Sequence, residues 1–342
     1  MMAERYCCAN CIDDRHIRRQ LIPALSKSSG ECSYCRSQGQ QLVSPIDLRE
    51  QFELLISVYK PDPSGKTLVE WLKEDWALFA HERMDLAHAK ELLADILDDG
   101  AIVRELFAAS SASKSEALEH WQQLRTELMH TNRFFPTTDI NLRRLERLLP
   151  FLLLDEEEIP KTWYRARIQQ SDDPFPLDQM GCPPKHLASH GRANPAGIPY
   201  LYLASERPTA IAEVRPHTGD KVTIARFIVP TGLKIVDLRH PRKTVSPFIL
   251  PDENEVATLR GDIEFLERLG QELTRPVLQK SAAFDYIPSQ YLCEFAKKCG
   301  FDGVMYKSAV EGGINVALFE PAKATIADAA SHYVARVIVE TN

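Results

Sequence analysis

The chain has 342 residues, enough for two domains with separate cores, because a domain commonly takes roughly 100–200 residues. Hydrophobic residues make up 44% of the sequence and charged residues 26%, which excludes a disordered or fibrous protein. The net charge of −7, without a long run of Lys or Arg, argues against a general nucleic-acid-binding protein. The longest apolar run, 148–154, contains Pro150 and is too short to span a bilayer, and no signal-peptide pattern opens the chain. We therefore predict a globular cytoplasmic protein.

Four cysteines near the start of the sequence form two Cys-x-x-Cys pairs, which are Cys8 with Cys11 and Cys32 with Cys35. This spacing is typical of a zinc ribbon, in which four thiolates complete a tetrahedral coordination sphere and leave no open position for chemistry. Because disulfides are rare in the cytoplasm, we predict a structural zinc knuckle over residues 1–45. Three alternatives stay open: Cys7 replaces Cys8, His16 replaces one thiolate, or the cysteines are free surface thiols.

Residues 46–155 carry the three- and four-residue apolar spacing of amphipathic helices. The clearest helical runs lie at 68–79, 89–97, 115–134 and 142–149. Gly100 is placed to end the second of these helices. The charged segment DEEEIP at 155–160 breaks the pattern. We therefore predict a helical domain over 46–155 that ends at this segment.

After Lys161 the sequence changes to short runs of β-branched and aromatic residues with turn residues between them. The predicted strands are WYRARI, YLYLA, KVTIARFIV, LKIVDL, GVMYKS and NVALFE. Helical patterns interrupt them near 253–278 and 289–298. Strands with few, irregularly placed helices are typical of an α+β domain, which we place at 160–325 with a C-terminal tail at 326–342. The domain has neither a Gly-x-Gly-x-x-Gly fingerprint nor a Walker loop, so any nucleotide is held in another way.

Three sequence blocks in this domain share their order and spacing with a known family. They are GRANPAGIPYLYLA at 191–204, TAIAEV at 209–214, and a closing block made of YIPSQY at 286–291, GFDGVMYKS at 300–308 and NVALF at 315–319. Together they resemble the RES family over about residues 163–320. The resemblance implies a fold similar to ADP-ribosyltransferases. It also implies a toxin-like enzyme that degrades NAD by cutting the nicotinamide–ribose bond.

Carried over by motif position, the resemblance implies four catalytic residues, which are Arg192, Tyr202, Glu213 and Ser308. The residues expected to contact NAD around them are Arg165, Arg167, Asn194 and Gln290. The two arginines in this second set alternate along one predicted strand, so they point to the same face. Either guanidinium is a candidate to reach a phosphate of NAD.

The chemistry of the four catalytic candidates agrees with these roles. A guanidinium such as Arg192 holds phosphate or ribose oxygens through two parallel hydrogen bonds, and the Tyr202 ring offers a stacking surface for nicotinamide or adenine. Cleavage of the N-glycosidic bond develops positive charge on the ribose, and the Glu213 carboxylate is expected to stabilise that charge. Ser308 is expected to form a hydrogen bond with the nicotinamide or its ribose. Taken singly, each residue also has an ordinary interpretation as a loop, strand or helix-surface side chain.

A second motif lies in the helical region, where Arg125 and His130 resemble the Arg-x4-His motif of HEPN domains. Many HEPN domains are RNases, in which histidine acts as acid or base near neutral pH. RES proteins with HEPN-like N-terminal domains are therefore similar to this chain across both halves. However, Thr126 stands where active HEPN nucleases commonly carry Asn. An interpretation of both residues as ordinary members of the helical bundle stays open.

The acceptor and the partners also stay open at this point. Phosphate or water are the candidate acceptors of an NAD phosphorylase or glycohydrolase. An ADP-ribosyltransferase that acts on a macromolecule is a second hypothesis, and an inactive binding scaffold of RES and HEPN parts is a third. The resemblance also implies an antitoxin partner or autoinhibition by the N-terminal half, because free NAD degradation kills the host. HEPN bundles commonly dimerise, so a homodimer is a further alternative.

Overall fold

The computed structural model describes residues 4–109, 116–278 and 280–338. The α-helices are α1 (Ala9–Ile12), α2 (Ile22–Leu25), α3 (Arg49–Ile56), α4 (Leu68–Trp76), α5 (Leu86–Leu97), α6 (Glu116–His130), α7 (Leu142–Leu148), α8 (Arg207–Glu213), α9 (Pro241–Thr244), α10 (Glu253–Thr274), α11 (Ala282–Asp285) and α12 (Ile287–Lys298). The strands are β1 (Ser28–Gly30), β2 (Gln40–Leu42), β3 (Tyr59–Lys66), β4 (Phe107–Ala109), β5 (Thr162–Ile168), β6 (Leu201–Ala204), β7 (Lys221–Ile228), β8 (Ile235–Asp237), β9 (Gly303–Lys307), β10 (Ile314–Leu318) and β11 (Thr325–Tyr333). The protein is thus of the α+β class, as the sequence predicts.

The chain divides into two compact units. The first unit comprises Met1–Ala117 and Pro241–Phe265, and the second comprises Leu118–His240 and Leu266–Asn342. Helix α7 and all of α6 from Leu118 onward, which the sequence groups with the helical region 46–155, lie in the second unit. None of the helices in the described residues is long and apolar enough to cross a membrane.

Two helices of the first unit, α4 and α5, begin where polar side chains satisfy free backbone N–H groups. Helix α4 opens with a capping box, in which Thr67 and Glu70 bond each other's backbone N–H groups. Helix α5 is capped by Asp85, whose side chain accepts a hydrogen bond from the backbone of His88. This helix ends at Leu97, and Asp98 takes the left-handed conformation. The helix stop predicted at Gly100 is therefore wrong in position.

Strands β3 and β4 of the first unit are not predicted from the sequence pattern. Strands β3 and β4 pair antiparallel within the region predicted as helical, with a register shift between Pro61 and Lys66. The β3 sequence, YKPDPSGK, has no apolar alternation and therefore reads as a turn. Gly65 is required here, because a Cβ at this residue would lie 2.0 Å from the carbonyl oxygen of Phe107.

A seven-stranded sheet forms the centre of the second unit, in the order β11-β7-β5-β6-β10-β9-β8. Its pairs are antiparallel except for the parallel pair of β8 and β9. The six strands predicted after Lys161 are all confirmed, as are the helices predicted near 253–278 and 289–298. Strand β11 is additional and takes up the start of the segment predicted as a tail from 326. Its sequence, TIADAASHY, is mostly small or polar and exposed at the sheet edge, so it lacks the pattern of a buried strand.

The sheet has an apolar core on one face and a smaller apolar layer on the other. The larger core includes Trp163, Leu203, Phe227, Met305 and Val316. On the opposite face, helix α8 packs over β5, β6 and β7 through a cluster that includes Ala204, Ala210, Val222 and Ile224. Helix α8 is thereby held against the centre of the sheet, and its last residue is Glu213.

Strands β5 and β6 meet at the middle of the sheet but pair briefly. Among the described residues, their register contains a single Cα pair, Tyr164 with Ala204. Beyond this pair the two strands separate, whereas β5 continues to pair with β7 along its whole length. The sheet therefore opens between β5 and β6.

Candidate active site

A cleft of about 350 Å³ lies in the second unit where β5 and β6 separate. Most of its lining comes from strands β5, β6, β9 and β10, helix α8 and the loop before β6. The lining residues are Tyr164, Arg165, Ala166, His190, Gly191, Arg192, Tyr202, Leu203, Ala204, Ala210, Glu213, Val214, Tyr286, Tyr306 and Asn315. Its volume is in the range of small-molecule sites, and its lining combines aromatic rings with a few polar groups.

The floor of the cleft is a row of side chains that crosses four strands. In the sheet register, Tyr164 pairs with Ala204, Ala204 with Asn315, and Asn315 with Tyr306. Since paired residues of neighbouring strands point to the same face, these four side chains share one surface. Burial raises the pKa of Tyr306 well above the usual range, so its hydroxyl stays protonated.

The loop at 191–194 is held by side chains from two other elements. The Tyr202 hydroxyl donates to Asn194 Oδ1 at 2.7 Å and accepts hydrogen bonds from the backbone N–H groups of Ala193 and Asn194. From helix α12, Ser289 donates to the Arg192 carbonyl at 2.5 Å and Gln290 donates to the Gly191 carbonyl at 2.8 Å. The loop that carries Arg192 is therefore rigid.

Gly191 is the residue that lets this loop pack closely. A Cβ at this position would lie 2.5 Å from Asn194 Oδ1 and 2.6 Å from the Tyr202 hydroxyl oxygen. Any larger residue would break the hydrogen bonds described above. Burial raises the pKa of Tyr202, which keeps this hydroxyl protonated and able to donate.

The Arg192 side chain lies at the edge of the cleft. Its Nη1 donates to the carbonyl oxygens of Leu273 at 3.2 Å and Arg275 at 2.8 Å, at the C-terminal end of α10. The guanidinium carbon lies 5.3 Å from the centre of the Tyr286 ring. Since only one nitrogen makes these contacts, other N–H groups of the guanidinium remain available to a ligand.

Glu213, the last residue of helix α8, also lines the cleft. Its Oε1 accepts a hydrogen bond from Ser308 Oγ at 2.8 Å and another from Asn315 Nδ2 at 2.6 Å. Ser308 follows strand β9, so the two donors come from neighbouring strands of the sheet. The carboxylate is thus exposed to solvent but fixed at one oxygen.

Arg165, on β5, is a second arginine among the residues that line the cleft. Its Nη1 donates to the carbonyl of Tyr202 at 3.1 Å, and its Nε is buried without a hydrogen-bond partner among the described residues. Burial, together with the nearby charge of Arg167, lowers the pKa of Arg165 to about 10. The side chain is still charged at neutral pH. An anion in the cleft would relieve the cost of holding this cation out of water.

The other residues predicted to contact NAD bind protein groups. Arg167 donates to the Gln179 carbonyl and lies over the Phe175 ring. The Asn194 side-chain amide donates to the carbonyls of Ser189 and Pro195. With Gln290 bonded to the Gly191 carbonyl, these side chains support the walls of the cleft.

Several residues of the lining were absent from the sequence prediction. Asn315 and Tyr306 lie in the matched blocks, His190 lies directly before one, and Tyr164 lies in the first predicted strand outside them, but the motifs assign none of the four a role. The sequence offers one signal for Asn315, because it is the polar residue of an otherwise apolar strand. Its contact with Glu213 depends on the pairing of distant strands, which local spacing does not encode.

The four predicted metal ligands come together in the first unit. The Sγ atoms of Cys8, Cys11, Cys32 and Cys35 all lie within 4.8 Å of one another, and all four residues are buried. Two of the sulfur pairs are 3.5 and 3.2 Å apart. Tetrahedral zinc with Zn–S bonds of about 2.3 Å needs sulfur atoms about 3.8 Å apart, so this cluster fits one such ion. Neither Cys7 nor His16 belongs to the cluster.

Arg125, the arginine of the Arg-x4-His motif, lies in a network of charges in the second unit. Its Nε donates at 3.0 Å to Oε1 of Glu272, a residue that is 2% exposed. Arg275 approaches the same carboxylate at 3.4 Å and bonds Asp285. His130 packs its ring near that of Phe284, with 5.9 Å between the centroids. The contacts of Arg125 are therefore those of a structural ion pair.

The fold and the cleft define an α+β protein whose polar cleft gathers two arginines and one carboxylate in a space suited to an anionic small molecule. Residues 162–337 match the model of the RES domain, and this span is just over half of the chain. The chain therefore belongs to the RES domain family. No curated protein sequence matches it. Among solved structures, a chain from the MbcT-MbcA toxin-antitoxin complex of M. tuberculosis is similar at 16% identity, with a TM-score of 0.32, over 56% of this chain and 93% of that chain.

Proposed function

We propose that the second unit degrades NAD by cutting the bond between nicotinamide and ribose. The observation that carries this proposal is the pairing of two kinds of group in one cleft. Arg165 and Arg192 offer positive charge that no carboxylate neutralises among the described residues, and Glu213 offers a fixed negative charge. NAD carries the complementary features, an anionic pyrophosphate and a ribose that becomes positive as the bond breaks.

The arginines account for the binding of substrate. A guanidinium presents several N–H donors in a plane that matches phosphate oxygens, and such charge-assisted bonds are about twice as strong as neutral ones. Arg165 Nε is buried, so the nitrogen of Arg165 that is available to a phosphate is Nη2, which makes no hydrogen bond among the described residues. The rings of Tyr164 and Tyr202, which are only partly buried, provide flat surfaces for nicotinamide or adenine.

Glu213 accounts for the chemical step. As the N-glycosidic bond breaks, its electron pair leaves with nicotinamide and positive charge grows on the ribose carbon and ring oxygen. A carboxylate held beside this charge stabilises the transition state more than the ground state. An oxygen of phosphate or water then bonds the ribose carbon. The products are nicotinamide and either a phosphorylated ADP-ribose or ADP-ribose with one released proton.

We also propose a structural zinc ion and a protein inhibitor as a partner. The cysteine cluster holds zinc, and because all four ligands are protein thiolates the ion is structural. Unrestrained loss of NAD is lethal to a cell, so a protein inhibitor of the antitoxin type is the expected partner. A toxin-like or defensive role follows from that expectation.

The test uses the purified full chain with NAD, with and without inorganic phosphate, and resolves the products by mass. We expect nicotinamide to appear as NAD disappears, and the mass of the second product to identify the acceptor. A product with ADP-ribose attached to protein would instead indicate a transferase. Intact NAD under all conditions, with a well-folded protein, would contradict the proposal.

A further inference from the structure

We infer that Asn315 is the positioning residue for Glu213, which it holds so that Oε2 of the carboxylate faces the ribose. This inference rests on the proposed function. The Asn315 amide donates to Oε1 at 2.6 Å, and Ser308 donates to the same oxygen. Among the described residues, Oε2 accepts no hydrogen bond. Both donors therefore act on one oxygen and leave the other to the substrate.

Asn315 is well placed to fix another side chain because its own position is fixed. It lies in β10, between β6 and β9, and pairs with Ala204 on one side and Tyr306 on the other. The residue is 5% exposed. Its amide group is planar, so once the strand is in place the direction of the N–H bonds is set. The hydrogen bond to Glu213 transmits this rigidity to a side chain that solvent would otherwise leave mobile.

Ser308 does not duplicate this function. It follows β9 at the start of a turn, and its Oγ also lies 3.3 Å from the backbone nitrogens of Val310 and Glu311. A hydroxyl rotates about its bond to carbon, so its donor direction adapts to its surroundings. Ser308 therefore completes the hydrogen bonding of Oε1, whereas Asn315 determines where that oxygen lies.

Glu213 needs such support because its helix is short. Helix α8 has seven residues and Glu213 is its last, exposed residue. A catalytic carboxylate loses effect when it must be ordered during the reaction, since the ordering cost then falls on the transition state. We expect loss of the Asn315 donor to lower kcat by roughly 10- to 100-fold, the range for one hydrogen bond to a charged group. KM for NAD should change little, because the arginines are untouched.

The experiment is a double-mutant cycle on nicotinamide release by the full chain. Asn315→Leu keeps the size of the side chain and removes the donor, and Asn254→Leu, at an exposed position of α10, is the matched control. In the wild-type background, Asn315→Leu should lower kcat and leave KM nearly constant. In a Glu213→Ala background it should cause little further loss, because there is no carboxylate left to position.

The outcomes separate this inference from the proposed function. If Asn315→Leu lowers kcat by the same factor with and without Glu213, Asn315 acts independently and the inference is wrong. An equal rise in KM would overturn it as well. Should Asn315→Leu fail to fold, Asn315→Ala removes the donor without adding bulk or charge and must show the same loss and the same dependence on Glu213. A folded wild-type chain that releases no nicotinamide would overturn the proposed function and this inference together.

Discussion

The cysteine cluster and the cleft are both polar sites, but they differ in how completely the protein satisfies their groups. In the cluster, four identical ligands from two short segments surround one point and are all buried. In the cleft, unlike groups come from separate strands, a helix and a loop, and the Arg165 Nε has no hydrogen-bond partner within the described part of the chain. A site that a metal completes needs no further ligand, so its role is to stabilise the fold. A site that contains an unpaired charge instead binds a substrate of opposite charge.

The largest effect should follow removal of the metal from the cysteine cluster. We expect about one zinc ion per chain, and its loss to unfold the region around the cluster, because structural zinc contributes on the order of 10 kcal/mol to folding. Cys32→Ser should also destabilise the region around the cluster. Metal analysis together with thermal unfolding checks this, and Cys182→Ser, outside the cluster, is the control. Freshly purified protein that contains no metal would contradict the prediction that the cysteine cluster is a zinc site.

The next largest effect should come from Glu213→Gln. The substitution keeps size and a hydrogen-bond acceptor but removes the charge that stabilises the ribose cation. Loss of one such electrostatic contact costs roughly 100- to 1000-fold in turnover. NAD affinity should stay close to that of the wild type, since the loss concerns the transition state. Steady-state kinetics with a separate binding measurement distinguishes the two, and a variant with undiminished turnover would exclude Glu213 from the mechanism.

These two sites also differ in how far the sequence predicts them. The cluster follows from two Cys-x-x-Cys pairs, because each pair brings its ligands together within a single turn. For the cleft, family motifs place Arg192, Tyr202 and Glu213 in one lining, but Asn315 escapes notice. Its role comes from strand register, and register is a property of distant pairing. Two of the strands that the sequence does not predict, β3 and β11, lack apolar alternation, since one is rich in proline and glycine and the other is an exposed edge.

A smaller effect, on binding alone, should follow Arg165→Met. Methionine fills similar space but cannot bind the NAD pyrophosphate, so affinity should fall by roughly 10- to 100-fold. Thermal stability should not fall, because the wild-type cation is partly desolvated without a carboxylate partner among the described residues. Calorimetric titration with NAD measures the first quantity and thermal unfolding the second. Arg226→Met, at an exposed residue paired with Asp328, is the matched control. Unchanged NAD affinity in Arg165→Met would show that the anion binds elsewhere.

The smallest effects should come from the Arg-x4-His motif, and they should concern stability. Arg125→Met removes one partner of the nearly buried Glu272, which retains Arg275, so we expect a loss of about 1–3 kcal/mol in unfolding free energy. His130→Ala should change stability by less than about 0.5 kcal/mol. Chemical denaturation of both variants measures the difference, and RNA cleavage is assayed in parallel. RNA cleavage by the wild type that both substitutions abolish would reveal a second active site instead.

The most direct test of the central claim is a crystal structure of Glu213→Gln with NAD, since this variant should bind the substrate and turn it over slowly. We expect NAD in the cleft between β5 and β6, with the pyrophosphate against the guanidinium groups of Arg165 and Arg192. The nicotinamide ribose should lie beside the side chain at position 213. NAD bound outside the cleft, or bound there with its adenine end at position 213, would contradict it.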